Sequence, residues 1–205
     1  MLGNVLQFIQ QPKELIHMTF FKTIAATALT GLAALGFASA SIATPTAAEV
    51  KEGSLEAHIA LVEALQRNGV KVSVNPKVCG DRNANGFYAS SRDWLVICQD
   101  NAVPGGPSVQ WTANDLDTLR HEAQHFIQDC VAGVAGDNAL TPVYISPAGL
   151  AQEHLGPKAV ATITERYRAN GASDLTLLLE YEAFTVAALN IPLDQVSDIK
   201  RACGA

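Results

Sequence analysis

Several absences in this 205-residue chain narrow its function before any motif is read. Lys and Arg form no stripe or cluster, and the formal net charge of −6 makes the chain mildly acidic, which excludes nucleic acid as an expected partner. No two cysteines stand at the short C-x2–4-C spacing of cysteine-ligated zinc sites, so such a site is not expected. No internal repeat and no second composition boundary appears, and one domain with its own core is the expected organisation.

Cysteine is scarce but even in number: Cys79, Cys98, Cys130 and Cys203. What precedes them gives that count its meaning. "MTFFKTIAATALTGLAALGFASA", residues 18–40, has Lys22 ahead of the apolar run Ile24–Phe37 and ends in Ala38-Ser39-Ala40, a small-x-small cleavage signal. Residues 1–40 therefore read as an upstream extension and a secretory signal peptide with Met18 as the start. The chain is expected to be exported, periplasmic or secreted, with no stable membrane association after cleavage. The alternative is an uncleaved anchor, because Ile24–Ala43 is long enough to span a bilayer. Residues 41–53, "SIATPTAAEVKEG", read as a flexible tether, and 54–205 as the folded domain.

In an exported chain an even cysteine count implies disulfides. Of the three possible pairings, Cys79–Cys98 with Cys130–Cys203 is favoured: the first two flank an expected hairpin, and the second two end expected helices.

Ser54 caps a helix in which Leu55, Ile59, Val62 and Leu65 recur at helical spacing, and Gly69 stops it. "VKVSV" (70–74) alternates as a half-buried strand, and two more strands are expected around Phe87–Tyr88 and Trp94–Cys98, joined by Ser90-Ser91-Arg92-Asp93. A small antiparallel sheet follows from this. "NAVPGGPSVQW" (101–111) is an aperiodic Gly/Pro loop. Thr112 then opens a helix, in a capping box with Asp115 as its fourth residue, that runs to about Ala132 before Gly133. Helices are expected over 147–155, 157–169, 175–189 behind Ser173, and 192–202. The fold class is α+β.

The long helix carries "TLRHEAQHFIQDC" (118–130). His121 and His125 lie one turn apart on one face, where both can reach one metal ion, and Glu122 sits one step round from His121. That pattern arises by chance in fewer than about one in a hundred shuffled versions of this chain. A catalytic zinc site needs these parts: the ion lowers the pKa of a bound water to near neutrality, and a carboxylate takes the proton as a carbonyl is attacked. Leu116, Leu119, Ala123, Phe126, Ile127 and Cys130 give the same helix a broad apolar face.

A third protein ligand is required. Metzincins would place Gly three residues after His125 and a ligand ten after His121, where this chain has Gln128 and Val131. The chain instead resembles the gluzincin zinc metallopeptidases, whose third ligand is a glutamate on a later helix in an E-x-x-A or E-A context. "LLLEYEAFTVAALN" (177–190) offers both. The resemblance implies a zincin-like fold, Zn2+ as cofactor, His121, His125 and Glu180 as ligands with Glu182 as rival, Glu122 as general base, and a peptide or protein substrate. It implies too that an edge strand, here around Trp94–Cys98, holds the substrate backbone.

One departure matters. Such families often place Asp or Asn four residues after the ligand glutamate to orient a histidine, and here Phe184 and Val186 stand there. Asp117 and Asp129, a turn to either side of the histidines, are the replacement candidates. His154, Tyr144, Tyr167 and Tyr181 are candidates for an alternative ligand or a hydrogen-bond donor to the transition state. Two rival readings stand beside the peptidase: a non-catalytic zincin-fold binding protein with a structural metal, and a surface protein with no metal.

Overall fold

The computed structural model describes residues 54–81, 84–133, 139–189 and 191–204. The leader, Met18 and the tether lie outside them. Six helices and a three-stranded sheet follow one another as α1 (Leu55–Arg67), β1 (Lys71–Val74), β2 (Gly86–Ala89), β3 (Trp94–Ile97), α2 (Ala113–Ala132), α3 (Pro147–His154), α4 (Gly156–Ala169), α5 (Asp174–Leu189) and α6 (Pro192–Cys203). The α+β expectation and the helix boundaries hold to within a residue or two. The Ser54 hydroxyl accepts from the Ala57 N–H at 3.1 Å, and Thr112 and Asp115 form a reciprocal capping box. Each cap satisfies amide donors that the first helical turn leaves without partners.

The sheet differs from the antiparallel one expected. Its order is β1-β3-β2, with β2 antiparallel to β3 and β1 parallel to it. Pro76 and the 3-10 turn Lys77–Gly80 carry the chain from β1 past the place of its neighbour. The β2–β3 hairpin then folds β3 back into the gap. Side-chain alternation reports burial but not strand order, so "VKVSV" could not show which neighbour it would take. As a result β3 is the central strand, with Leu95, Val96 and Ile97 buried, and it offers no free edge to a substrate. The edge beside α2 belongs to β2.

Among the described residues three apolar clusters make up the interior, the smallest being Phe87, Ala89 and Val96 of the sheet with the Cys79–Cys98 disulfide packed against them. The other two are larger. One joins α1, the sheet, α2 and α6 through Leu61, Leu65, Leu95, Ile97, Leu119, Phe126, Ile127 and Ile199. The other joins α3, α4 and α5 through Ala151, Val160, Ile163, Tyr167, Leu177 and Tyr181. Helices α2 and α5 meet between them and run antiparallel, since Arg120 Nε donates to the Ala187 carbonyl and Gln128 Nε2 to the Leu179 carbonyl, each at 3.0 Å. Ala183 and Ala187, both buried, allow that approach.

Both expected disulfides form. Cys79–Cys98 ties the 3-10 turn to the end of β3, and Cys130–Cys203 ties the C-terminal end of α2 to that of α6. Among the described residues, no helix is long and apolar enough to cross a membrane.

Gly86 sets how closely α2 approaches the sheet. A Cβ there would stand 2.6 Å from both the Thr118 methyl and the Val96 carbonyl oxygen. Gly86→Ala is therefore expected to destabilise the protein by about 1–3 kcal/mol in urea denaturation. An unchanged midpoint would show that α2 and the sheet can separate at no cost.

Candidate metal centre

α2 buries ionisable and amide side chains along most of its length, among them Arg120, His121, Glu122, Gln124, His125, Gln128 and Asp129. Burial of such groups is tolerated only where partners meet them. What meets each one decides what the site can do.

His121 and His125, on successive turns of α2, and Glu180, on α5, converge. His125 Nε2 lies 3.2 Å from His121 Nε2, Glu180 Oε2 lies 3.3 Å from His121 Nε2, and Glu180 Oε1 lies 3.6 Å from His125 Nε2. Tetrahedral zinc with bonds of about 2.0–2.1 Å holds its ligands roughly 3.3 Å apart. The three donors already have that spacing, and two imidazoles with one carboxylate are a set that binds divalent metal. They could hold one metal ion. Three donors leave the fourth tetrahedral position to another group.

Glu182 is turned elsewhere. Its Oε1 accepts from Gln124 Nε2 at 2.8 Å, Gln128 Nε2 at 2.9 Å and the Val143 N–H at 3.1 Å, and its Oε2 accepts from the Tyr144 N–H at 2.9 Å. Four donors thus fix the second glutamate of "LEYEA", which anchors the segment between α2 and α3. The first reaches the histidines.

The group that orients His125 is Gln128, which the sequence reading passed over. Its Oε1 stands 2.8 Å from His125 Nδ1, while its Nε2 donates to Leu179 and Glu182. With the amide nitrogen committed, the oxygen must face the ring, so Nδ1 carries the proton and Nε2 keeps its lone pair for a metal. Gln128 lies three residues after His125, a spacing that was available in the sequence.

Neither aspartate candidate does this. Asp129, fully buried, accepts from the Tyr88 hydroxyl at 2.7 Å and ties α2 to β2, and Asp117 pairs with Arg120. Of the other candidates, His154 is exposed at the end of α3, Tyr181 bonds Thr164, and Tyr144 offers its backbone to Glu182. Tyr167 alone of the four is placed at the centre: it is buried, and the charges of Glu180 and Glu122 act on its phenol.

Glu122 stands beside the three donors with one oxygen held by the Tyr88 backbone N–H of β2. Its Oε2 is buried without a hydrogen-bond partner among the described residues, as are His121 Nδ1 and Glu180 Oε2. Burial raises the Glu122 carboxyl above the usual carboxylate range; His121 and His125 pull it back in part, and Glu180 adds to the rise. In the metal-free protein burial works against a charged His125, but Glu180 outweighs it and pushes the ring up to about 9. Glu180 is correspondingly held well below its ordinary value, since His125 and His121 overcome its burial.

A family model described as "Domain of unknown function (DUF8637)" matches residues 54–154. The match runs from α1 to α3, includes His121, Glu122 and His125, and ends before Glu180. No curated protein and no solved structure matches the chain.

Two predictions follow from these contacts. Glu182→Ala is expected to cost about 3 kcal/mol in urea denaturation, because it leaves buried amide donors without an acceptor. A loss below about 1 kcal/mol would show that those donors find other partners. The second concerns pH. A raised His125 pKa stabilises the folded metal-free protein most below the free imidazole value of 6.5, and that contribution is lost as pH rises through about 9. A depressed Glu180 pKa stabilises above the free carboxylate value of 4.5 and is lost as pH falls. The melting temperature of chelator-treated protein should therefore peak between those free values and drop by roughly 5 °C toward pH 9.5. Glu180→Gln is expected to remove most of that alkaline drop, and an equally steep drop in the variant would refute the pairing.

Proposed function

We propose that this chain is an exported zinc-dependent hydrolase of peptide bonds, with a zincin-like fold in which His121, His125 and Glu180 hold the metal and Glu122 is the general base. The observation that carries the reading is Glu122, a buried carboxylate anchored to β2 by one oxygen with the other unpartnered beside a three-donor cluster. A purely structural site has no use for a base there.

When bound, zinc supplies a polarised water at near-neutral pH and a Lewis acid for the substrate carbonyl. The chain's own residues do the rest. Glu122 takes a proton from the attacking water and returns it to the leaving amine, so that water and amide become carboxylic acid and amine. A carboxyl raised by burial suits both halves of that exchange, because a proton shuttle works best with a pKa near the working pH. Gln128 keeps the His125 lone pair toward the metal. β2, with its end at Gly86 beside Glu122, is the strand that borders the site and is the place where an extended substrate backbone would run. Two disulfides accord with export, and the acidic chain with the absence of a nucleic-acid partner.

One rival has an observation of its own. His121, Glu122, His125 and Glu180 are each at most 5% exposed, a closure that suits a non-catalytic binding protein with a structural metal. The two readings separate on one variant. Metal analysis of the mature protein is expected to give about one zinc per chain. Glu122→Gln is expected to keep that zinc and to lose hydrolysis of an unstructured protein such as casein by at least about a hundredfold. Wild type without zinc would end both readings; zinc with no hydrolysis by wild type would favour the structural one.

A further inference from the structure

The proposed centre accounts for His121, Glu122, His125 and Glu180 but not for the phenol enclosed with them. Tyr167, near the end of α4, is 5% exposed, and its hydroxyl makes no close hydrogen bond among the described residues, with the Glu180 carboxylate the acceptor within its reach. Its neighbour in the second cluster behaves otherwise: the Tyr181 hydroxyl, on α5, bonds Thr164. Buried tyrosine hydroxyls are ordinarily paired, so an unpaired one calls for a reason.

One ring contact and the neighbouring carboxylates place the phenol. Phe184 packs edge-on against Tyr167 with centroids 6.3 Å apart, and against His121 with centroids 4.5 Å apart. Of the charged groups around the phenol, Glu180 acts most strongly, followed by Glu122, with Arg166 opposing them. Burial and these two negative charges hold the proton on the phenol, so a donor is what it has to offer. Glu180 is the matching acceptor: its Oε2 is buried, stands 3.3 Å from His121 Nε2 and has no closer hydrogen bond among the described residues.

We propose that Tyr167 is a positioning residue of the metal centre, donating its hydroxyl hydrogen to one oxygen of Glu180 so that only the other oxygen is left for a metal ion. This rests on the metal reading above. A carboxylate free to turn presents both oxygens to a metal, and the second would take the position that water needs beside Glu122. Tyr167 keeps that position clear. It also links α4, which gives Val160 and Ile163 to the second cluster, to a donor set otherwise drawn from α2 and α5.

Cobalt(II) reports the difference, because its visible bands are intense with four ligands and weak with five or six. Wild type, Tyr167→Phe and Tyr181→Phe are to be loaded with cobalt, and their zinc affinities compared by chelator competition. Wild type and Tyr181→Phe are expected to share intense bands and equal affinity. Tyr167→Phe is expected to give weak bands and to bind zinc about 10–100-fold less tightly, while its circular dichroism stays that of the wild type. A Tyr167→Phe spectrum and affinity equal to wild type overturn the proposal and leave the metal reading standing. Wild type that binds neither cobalt nor zinc overturns both. Should Tyr167→Phe fail to fold, wild type supplies a second measurement: zinc addition is expected to shift a tyrosine band in the ultraviolet difference spectrum, and no shift overturns the proposal.

Discussion

Every neighbour of α2 is chosen by what α2 buries. A helix with arginine, histidines, carboxylates and amides in the interior folds only if each packing element brings partners, since an unmet buried polar group costs about 1–3 kcal/mol. α5 meets the greatest number: the Ala187 and Leu179 carbonyls take Arg120 and Gln128, Glu182 takes Gln124 and Gln128, and Glu180 meets the histidines. α1 sends His58 to Arg120, β2 sends the Tyr88 hydroxyl to Asp129 and its backbone to Glu122, and α6 sends Gln195 to the Arg120 carbonyl. The fold is organised around polar satisfaction of one helix as much as around its apolar clusters.

Satisfaction is poorest at one place. Around His121, Glu122, Glu180 and Tyr167 four buried polar atoms make no close hydrogen bond among the described residues, whereas elsewhere single oxygens such as those of Gln124 and Gln195 are left so, and the same α2–α5 interface pairs Gln128 and Glu182 one turn away. Proteins tolerate such a local deficit where function requires it, with stability supplied elsewhere. Here the two disulfides stand at the periphery, one at the sheet and one joining the ends of α2 and α6, and leave the interior free to carry the deficit.

Local signals in the sequence read well because their physics is local. The Thr112 box, Ser54 and the glycines at 69 and 133 are decided within four or five residues, and the helices they bound came out close to expectation. Cysteine pairing followed from the hairpin that Cys79 and Cys98 flank and from the helix ends that carry Cys130 and Cys203. Strand order did not, because β1 could pair on either side of the hairpin, and which side depends on a crossover over Pro76 rather than on any strand's own pattern. Glu180 and Glu182 could not be told apart for a related reason. Both lie inside an apolar helix, and only the partners on α2 and at Val143–Tyr144 show which carboxylate is already occupied.

Gln128 and Phe184 together explain how a histidine pair is oriented without the acidic residue expected four places after the ligand. Gln128 holds His125 through a bond whose polarity is forced by Glu182 behind it. His121 has no such hold, because the ring of Phe184 packs against it and offers its Nδ1 nothing. The two histidines are thus unequal: the Nδ1 of one is fixed by a hydrogen-bonded chain that ends at a backbone anchor, while the Nδ1 side of the other is held by packing. A fixed ligand sets the position of an ion, and a packed one can adjust to it. Phe184 then serves twice. It stands at the position of the expected acid and packs on His121, and it packs on Tyr167 as well, so the departure from the expected acid and the enclosed tyrosine meet in one packing arrangement.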